Sequence, residues 1–296
     1  MSLRSEFVGI SASEPVEVTA RWMMAFAASV GATGPKYLDT ASTAGIVAHP
    51  VFPVALEWPA MLALADTPEA QQLTAMERAR NVHGALDLHL LRPIEPGVRL
   101  TVEAMIVSLE QRGQNTHQVV KVEFKNKSGD VLCRSFQTGI FLGTALDGEN
   151  RCIASAPEVP AWDVESRGDG VDRNAREPTE NVAFCVGAGA GQIYSECARI
   201  WNPIHSDREV ALAAGLPGVI LHGTATLAIA ITHLVGDALG GDPSHIARLG
   251  CQFRGMVPQP SSLHLKYQRI SKSFIGFEVL NEQEKVVIKQ GYILHQ

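Results

Sequence analysis

Cysteine is scarce in this 296-residue chain. The five residues, at 133, 152, 185, 197 and 251, are odd in number and never spaced C-x-x-C. That argues against a disulfide framework or a thiolate zinc site, and predicts buried free thiols in a reducing compartment. Basic clusters are missing too. Lys and Arg total 25 against 31 Asp and Glu, a net charge of −6, which excludes an electrostatic surface for nucleic acid. No stretch approaches the roughly 20 continuous apolar residues of a membrane span. The run "ATLAIAI" at 225–231 has the length of a buried helix segment instead. Residues 1–30 lack a basic start followed by an apolar core and a small-residue cleavage site, so no secretory signal is expected. These absences predict an intracellular, cytoplasmic protein with no membrane or nucleic-acid partner. Histidines 49, 83, 89, 117, 233, 245, 264 and 295 show no metal-ligand spacing, and no metal or other cofactor is predicted.

What is present is a globular composition, 46% hydrophobic, in a chain long enough for one large domain or two smaller ones. The composition shifts at 143–180, which has few periodic apolar residues, several Pro and Gly, and mixed charges. Such a run inside one compact domain is uncommon, so it predicts a linker between a first domain at 1–142 and a second at 181–296.

The two halves resemble each other. "VGATGPKYLD" (30–39) aligns with "ARIWNPIHSD" (198–207) at a constant offset of 168, pairing Pro35 with Pro203, Tyr37 with His205 and Asp39 with Asp207. Each segment leads to an apolar helix, at 53–65 and at 221–235, and then to strand-like runs. These are 82–91, 98–109, 116–125 and 131–142 in the first half, and 248–255, 262–270, 273–280 and 286–294 in the second. "NKSGD" and "NEQEK" occupy the same hairpin position. A repeat of one central helix and a mainly antiparallel sheet, an α+β protein, is the simplest reading.

Several local patterns have plain structural readings. "VGAGAGQ" (186–192) lacks a following Lys-Ser/Thr and reads as a strand-to-helix turn. Ser206 to Glu209 has the spacing of a capping box, with Ser206 as N-cap, opening a helix that Gly215 closes. Gly223, at a helix start, lets an oxyanion approach the amide and the positive end of the helix dipole.

"YSECARIWNPIHSD" (194–207) followed by "GLPGVILHGTATLA" (215–228) resembles the signature of the MaoC-like dehydratases, the (R)-specific or type-2 enoyl-CoA hydratases. Tyr194, Asn202, Pro203, Ile204, His205, Asp207, Gly215, Ile220, Leu221, His222 and Gly223 fall on the pattern in register, and Gln192 matches a frequent glutamine. "AHPVFPV" (48–54) and "RPIEPG" (92–97) look like the amino-terminal domain of two-domain members. The resemblance implies a double hot-dog fold, in which each sheet wraps one long helix. It also implies a lyase that hydrates or dehydrates an acyl thioester on coenzyme A or a carrier protein, with a homodimer as a possible assembly. The catalytic roles it implies fall on His205 as general acid–base and on the Gly223 amide as donor to the thioester oxygen. Asn202, Trp201, Ile200 and His222 would line the substrate.

The pattern is broken at one position of consequence. The family's catalytic aspartate lies five residues before the histidine, where this chain has Ile200, and the Ser-Gly before it has become Ala198-Arg199. Glu196 shares a helix face with Ile200 one turn earlier, but a turn of about 5.4 Å makes its reach short and favours a solvated residue. In the first half Ala32 and Tyr37 hold the paired positions, so that half reads as non-catalytic, shaping the acyl pocket. Two rivals follow from the missing carboxylate: a non-catalytic acyl-binding or scaffold subunit, and a double-bond isomerase on the same fold. Ile200→Asp is expected to bury an unpaired carboxylate rather than restore hydration.

Overall fold

A computed structural model describes residues 3–159, 162 and 179–296. The chain forms two compact units, one from Met1–Ala20 and Pro53–Pro157, the other from Arg21–Phe52 and Glu158–Gln296. Strands of the first unit are β1 (Ser11–Glu17), β2 (Asn81–Leu90), β3 (Arg99–Arg112), β4 (Asn115–Lys125) and β5 (Val131–Phe141), in the order β1-β3-β4-β5-β2 with every pair antiparallel. Their sequences alternate as a half-buried sheet requires. In β4, Val120, Val122 and Phe124 are buried, while Glu123 on the other face pairs with Lys121 and Arg134.

Between β1 and β2 the chain makes helix α1 (Ala20–Ser29), most of which belongs to the second unit, and then α2 (Pro53–Ala65), which packs on β1 and β3. Pro53 opens α2 at the position where a missing N–H costs nothing. Val54, Ala55, Leu56, Ala60 and Leu64 are buried, as expected of a helix apolar on most faces. One polar residue interrupts that core. Glu57 is fully buried, its Oε2 accepts a hydrogen bond from the Gln137 side-chain amide of β5, and burial pushes its carboxyl up to about 7.

The second unit repeats the plan with β6 (Glu180–Val186), β7 (Ile246–Phe253), β8 (Ser261–Ser271), β9 (Phe274–Asn281) and β10 (Val286–His295), in the order β7-β10-β9-β8-β6, again antiparallel. Its helices are α3 (Ala190–Ala198), α4 (Arg208–Ala213) and the central α5 (Gly223–Ala238). The α5 run Ala225–Ala228, with Ala230, Ile231, Leu234 and Val235, is buried. Gly240 and Gly241 at positive φ terminate the turn that follows.

The repeat extends to turn chemistry. Asn126 Oδ1 accepts from the amides of Ser128 and Asp130, and Asn281 Oδ1 accepts from those of Gln283 and Lys285. The left-handed residue is Gly129 in one hairpin and Glu284 in the other. Two halves of one plan, each with an antiparallel sheet and a buried central helix, make this an α+β double hot-dog.

Three expectations need correction. Residues 143–157 are not linker: they hold to the first unit by hydrogen bonds to backbone and side chains rather than by apolar periodicity. Thr116 donates to the Thr144 carbonyl at 2.8 Å, the Leu146 amide to Gln111 Oε1 at 2.6 Å, and the Ile153 amide to the Val107 carbonyl at 2.8 Å. Residues 21–52, contiguous in sequence with the first half, group with the second unit. Finally, all five cysteines are free, but only Cys133 and Cys251 are buried; Cys152 and Cys185 are exposed and Cys197 partly so. Cys185 lies on β6, an edge strand whose odd positions turn outward.

Candidate active site

Helix α3 ends at Arg199, which takes the left-handed conformation (φ 59°, ψ 35°), while the Ile200 amide donates back to the Ser195 carbonyl at 3.0 Å. This is a Schellman-type stop, a position where glycine is the usual residue. The chain then runs through Trp201 and Asn202 into a single 3-10 turn, Pro203–His205. Asp207 caps α4, its Oδ1 accepting from the amides of Glu209 (2.9 Å) and Val210 (3.3 Å). The expected cap at Ser206 is therefore displaced by one residue. The Asp207 amide is taken by the Pro203 carbonyl at 2.8 Å, which keeps Ser206 inside the preceding turn. Gly215 at φ +78° closes α4 as expected.

The His205 ring is fixed by one bond. Its Nδ1 lies 2.8 Å from the Ile220 carbonyl, and a carbonyl only accepts, so Nδ1 carries the proton and Nε2 keeps its lone pair. The His205 ring stacks on His222 at 3.7 Å between centroids and 28° between planes. His222 Nε2 in turn donates to the Ile200 carbonyl at 3.3 Å, and its Nδ1 is buried with no partner among the described residues. Burial lowers both imidazoles. His222, also facing His205, is held down to about 3; for His205 the Ile220 bond partly opposes the fall. Both rings are neutral at physiological pH.

Gly223 begins α5 with His222 as its N-cap, so its N–H has no intrahelical acceptor and sits at the positive end of a 16-residue helix. A Cβ on Gly223 would lie 2.8 Å from the Phe253 ring, so only glycine allows this packing. Tyr194, the signature tyrosine, is buried; its hydroxyl donates to Thr224 at 3.2 Å and its ring lies 4.9 Å from His222.

Ile200 is 7% exposed, its carbonyl taken by His222. Among the described residues no carboxylate hydrogen-bonds or pairs with His205, and Glu196 is exposed. Trp201 is 57% exposed, and the Asn202 side chain makes no hydrogen bond among the described residues. The structure thus brings together His205, His222, Ile200 and Gly223, and leaves Trp201 and Asn202 at the edge. Among the described residues no group of three His, Cys, Asp or Glu side chains converges to hold a metal, and no helix is long and apolar enough to cross a membrane.

Two supporting residues escaped the sequence reading. A Cβ on Gly191 would fall 2.2 Å from the His205 carbonyl. Gln259 bridges the same gap, accepting from the Gly191 amide at 2.7 Å and donating to the His205 carbonyl at 3.5 Å. Gln192 adds a bond to the Ser206 carbonyl at 3.0 Å. The glycine-rich turn is therefore the seat of the His205 loop. Glycine density at 186–192 was the signal for it.

The first-half counterpart also folds into the second unit. Tyr37 is 5% exposed, with a hydroxyl that has no partner among the described residues, and its ring lies 5.8 Å from His49. His49 uses both nitrogens: Nδ1 accepts from the Val51 amide and Nε2 donates to Thr232, each at 3.1 Å.

Both halves of the chain are similar to known proteins. Residues 197–290 match the MaoC-like domain family, and residues 6–135 match the FAS1-like dehydratase domain region. The chain is 25% identical over 215 residues to the peroxisomal enoyl-CoA hydratase 2 of Arabidopsis thaliana, covering 72% of this chain and 67% of that one. It is 25% identical over 189 residues to 3-hydroxyacyl-thioester dehydratase Y of Mycobacterium tuberculosis, covering 62% and 60%. The crystal structure of a MaoC-like dehydratase from Phytophthora capsici superposes with a TM-score of 0.79 at 18% identity, over 98% of this chain and 96% of that one, a likeness of fold. The chain thus carries a stretch matching the FAS1-like dehydratase region in its first half and one matching the MaoC-like domain in its second, on a double hot-dog fold.

Proposed function

We propose that this protein hydrates or dehydrates acyl thioesters, adding water across an α,β-double bond or removing it from a 3-hydroxyacyl group. The observation that carries the reading is the His205 ring, locked by the Ile220 carbonyl with a basic Nε2 left free. In the hydration direction, Nε2 takes a proton from the attacking water as oxygen bonds to Cβ, and returns a proton to Cα. The Gly223 amide, at the N-terminus of α5, receives the thioester oxygen as enolate charge develops. The relatives named as an enoyl-CoA hydratase and a 3-hydroxyacyl-thioester dehydratase support the same chemistry. Neutral His205 at rest is the form a general base requires.

The missing carboxylate sets the expected rate. A positioned proton-transfer group is commonly worth about 10²–10⁴, so this site should favour an activated substrate or a step one base can serve. A double-bond shift is such a step, since a single Nε2 can lift a proton from one carbon and deliver it to another. Buried Ile200, with no carboxylate contacting His205 among the described residues, is the observation that favours this second reading or pure acyl binding. A panel of enoyl and 3-hydroxyacyl thioesters of graded length, assayed with wild type and His205→Ala, separates them. Turnover lost in the variant supports catalysis at His205. Binding without turnover in wild type leaves an acyl-binding subunit.

A further inference from the structure

Helix α5 carries three threonines, and they use their hydroxyls differently. Thr226 and Thr232 donate back to the carbonyl four residues earlier, His222 at 3.2 Å and Ala228 at 3.0 Å, the usual use of a threonine proton inside a helix. For Thr224 the residue four earlier is Ile220, whose carbonyl is bonded to His205 Nδ1 at 2.8 Å. Thr224 Oγ1 instead accepts from the Tyr194 hydroxyl at 3.2 Å, and among the described residues it donates to nothing. A threonine hydroxyl has one hydrogen to give. That of Thr224 is unspent on a half-buried side chain in the first turn of α5.

Two observations place that hydrogen beside the Gly223 amide. Thr224 directly follows Gly223, and a helical Cα–Cβ bond tilts towards the helix N-terminus, so the side chain leans over the end where that amide has no intrahelical acceptor. Tyr194 fixes the side. Its hydroxyl is on Thr224 and its ring lies 4.9 Å from His222, which stacks on His205 at 3.7 Å. One buried tyrosine therefore touches the residues on both sides of Gly223. A hydroxyl that accepts a hydrogen bond also donates a stronger one, so Tyr194 polarises the Thr224 O–H as well as orienting it.

We propose that Thr224 is a second donor to the thioester oxygen, acting with the Gly223 amide, and that Tyr194 is the positioning residue that orients it. The assignment deepens the hydratase reading and rests on its placement of that oxygen at Gly223. Thr224 makes and breaks no covalent bond. As enolate charge gathers on the oxygen, amide and hydroxyl share it, and the hold tightens in the transition state. Ile200 stands where the pattern has an acid, so a better-held enolate lowers the barrier left to His205.

The test reads the carbonyl itself. A saturated acyl-CoA, isotopically labelled at the thioester carbonyl, is bound and its C=O stretch measured by difference infrared spectroscopy, beside kcat and KM on an enoyl-CoA. Thr224→Val keeps the shape and removes the hydroxyl. It is expected to lower kcat by about 10²–10³-fold with KM little changed, and to move the stretch to higher frequency. Thr224→Ser should restore both, and Tyr194→Phe, which keeps the ring, should lie between. Thr224→Ala gives the same comparison should the valine variant misfold. A stretch that is the same with and without the hydroxyl overturns the proposal, and where the enzyme turns over an unchanged kcat does so too. An equal loss in the valine and serine variants with a lowered Tm makes Thr224 a packing residue and also overturns it. If no enoyl thioester turns over, but the bound stretch depends on the Thr224 hydroxyl, the hydratase reading fails and the assignment stands. If the saturated thioester does not bind, the assignment fails too.

Discussion

The loop at 35–52 and the loop at 203–222 are two versions of one piece of chain, and they differ in what holds the ring. In the second, His205 stacks on His222, and one backbone carbonyl fixes it while leaving Nε2 available. In the first, Tyr37 takes the place of His205 beside His49, but the tyrosine is buried and both His49 nitrogens are committed to Val51 and Thr232. One ring pair leaves a nitrogen free and the other makes a packed wall. What decides between them is the anchoring bond and the exposure, more than the residue types.

Exchanging the reactive ring should break the comparison hardest. His205→Ala is expected to lower kcat by about 10²–10⁴ with a Tm within a few degrees of wild type, because the ring is half-buried in a loop. Steady-state assays beside thermal melts check it, and full activity in the folded variant removes His205 from the mechanism.

Acid should damage both loops together. Burial holds His49 and His222 to about 3 and His83 to about 4, against 6.5. Their folded values lie below the unfolded one, so the unfolded chain binds protons first. The stability they support is whole above pH 6.5 and is lost as pH falls towards 4, at up to about 1.4 kcal/mol per pH unit for each ring. Urea titrations at pH 7.5, 6 and 5 measure this; a midpoint that does not move across them would refute it.

Ile200→Asp asks whether the second loop is a damaged ordinary site. A carboxylate at a position 7% exposed, with no cation bonded there, should cost about 1–3 kcal/mol, a few degrees of Tm, and create no strong hydration. A gain of enoyl-CoA hydration at unchanged Tm would reverse that conclusion.

Gly191→Ala probes the seat of the loop. Its Cβ, 2.2 Å from the His205 carbonyl, must push the loop outward. The expected loss is about 1–3 kcal/mol of stability with a fall in kcat, seen by melts and by a crystal structure of the variant. The smallest effect belongs to Tyr37→Phe. Removing a buried hydroxyl that has no partner among the described residues should leave kcat unchanged and Tm equal or slightly raised. Lost turnover with intact binding would give the first loop a chemical role of its own.

Periodicity made much of this legible. The helix expected at 53–65 is the observed one, and the eight paired strand segments lie within a few residues of their expected bounds, because alternation and turn residues are local signals. The Asn-led hairpins were visible for the same reason. What local signals could not carry were contacts made across the chain. The Ser206 cap moved to Asp207 because a backbone bond to Pro203 extended the turn. The hold of 143–157 on strand edges has no apolar period, and the Gly191–Gln259–His205 bridge joins residues up to 68 apart. In the site, positions and identities were readable from motif spacing. The stacking of His205 on His222 and the proton on Nδ1 were not, since both depend on where the Ile220 carbonyl lies.

Glu57 gives the two units opposite characters in mild acid. Its carboxyl, raised from 4.5 to about 7, is easier to keep folded when protonated, so its contribution grows as pH drops from 7 to 4.5. In that window it opposes the protonation cost of His83 on the neighbouring β2. The second unit holds His49 and His222 and no such counterweight among its buried acids. Acid would therefore weaken the second unit through both rings, and a protease added at pH 5 should cut it sooner than at pH 7.5.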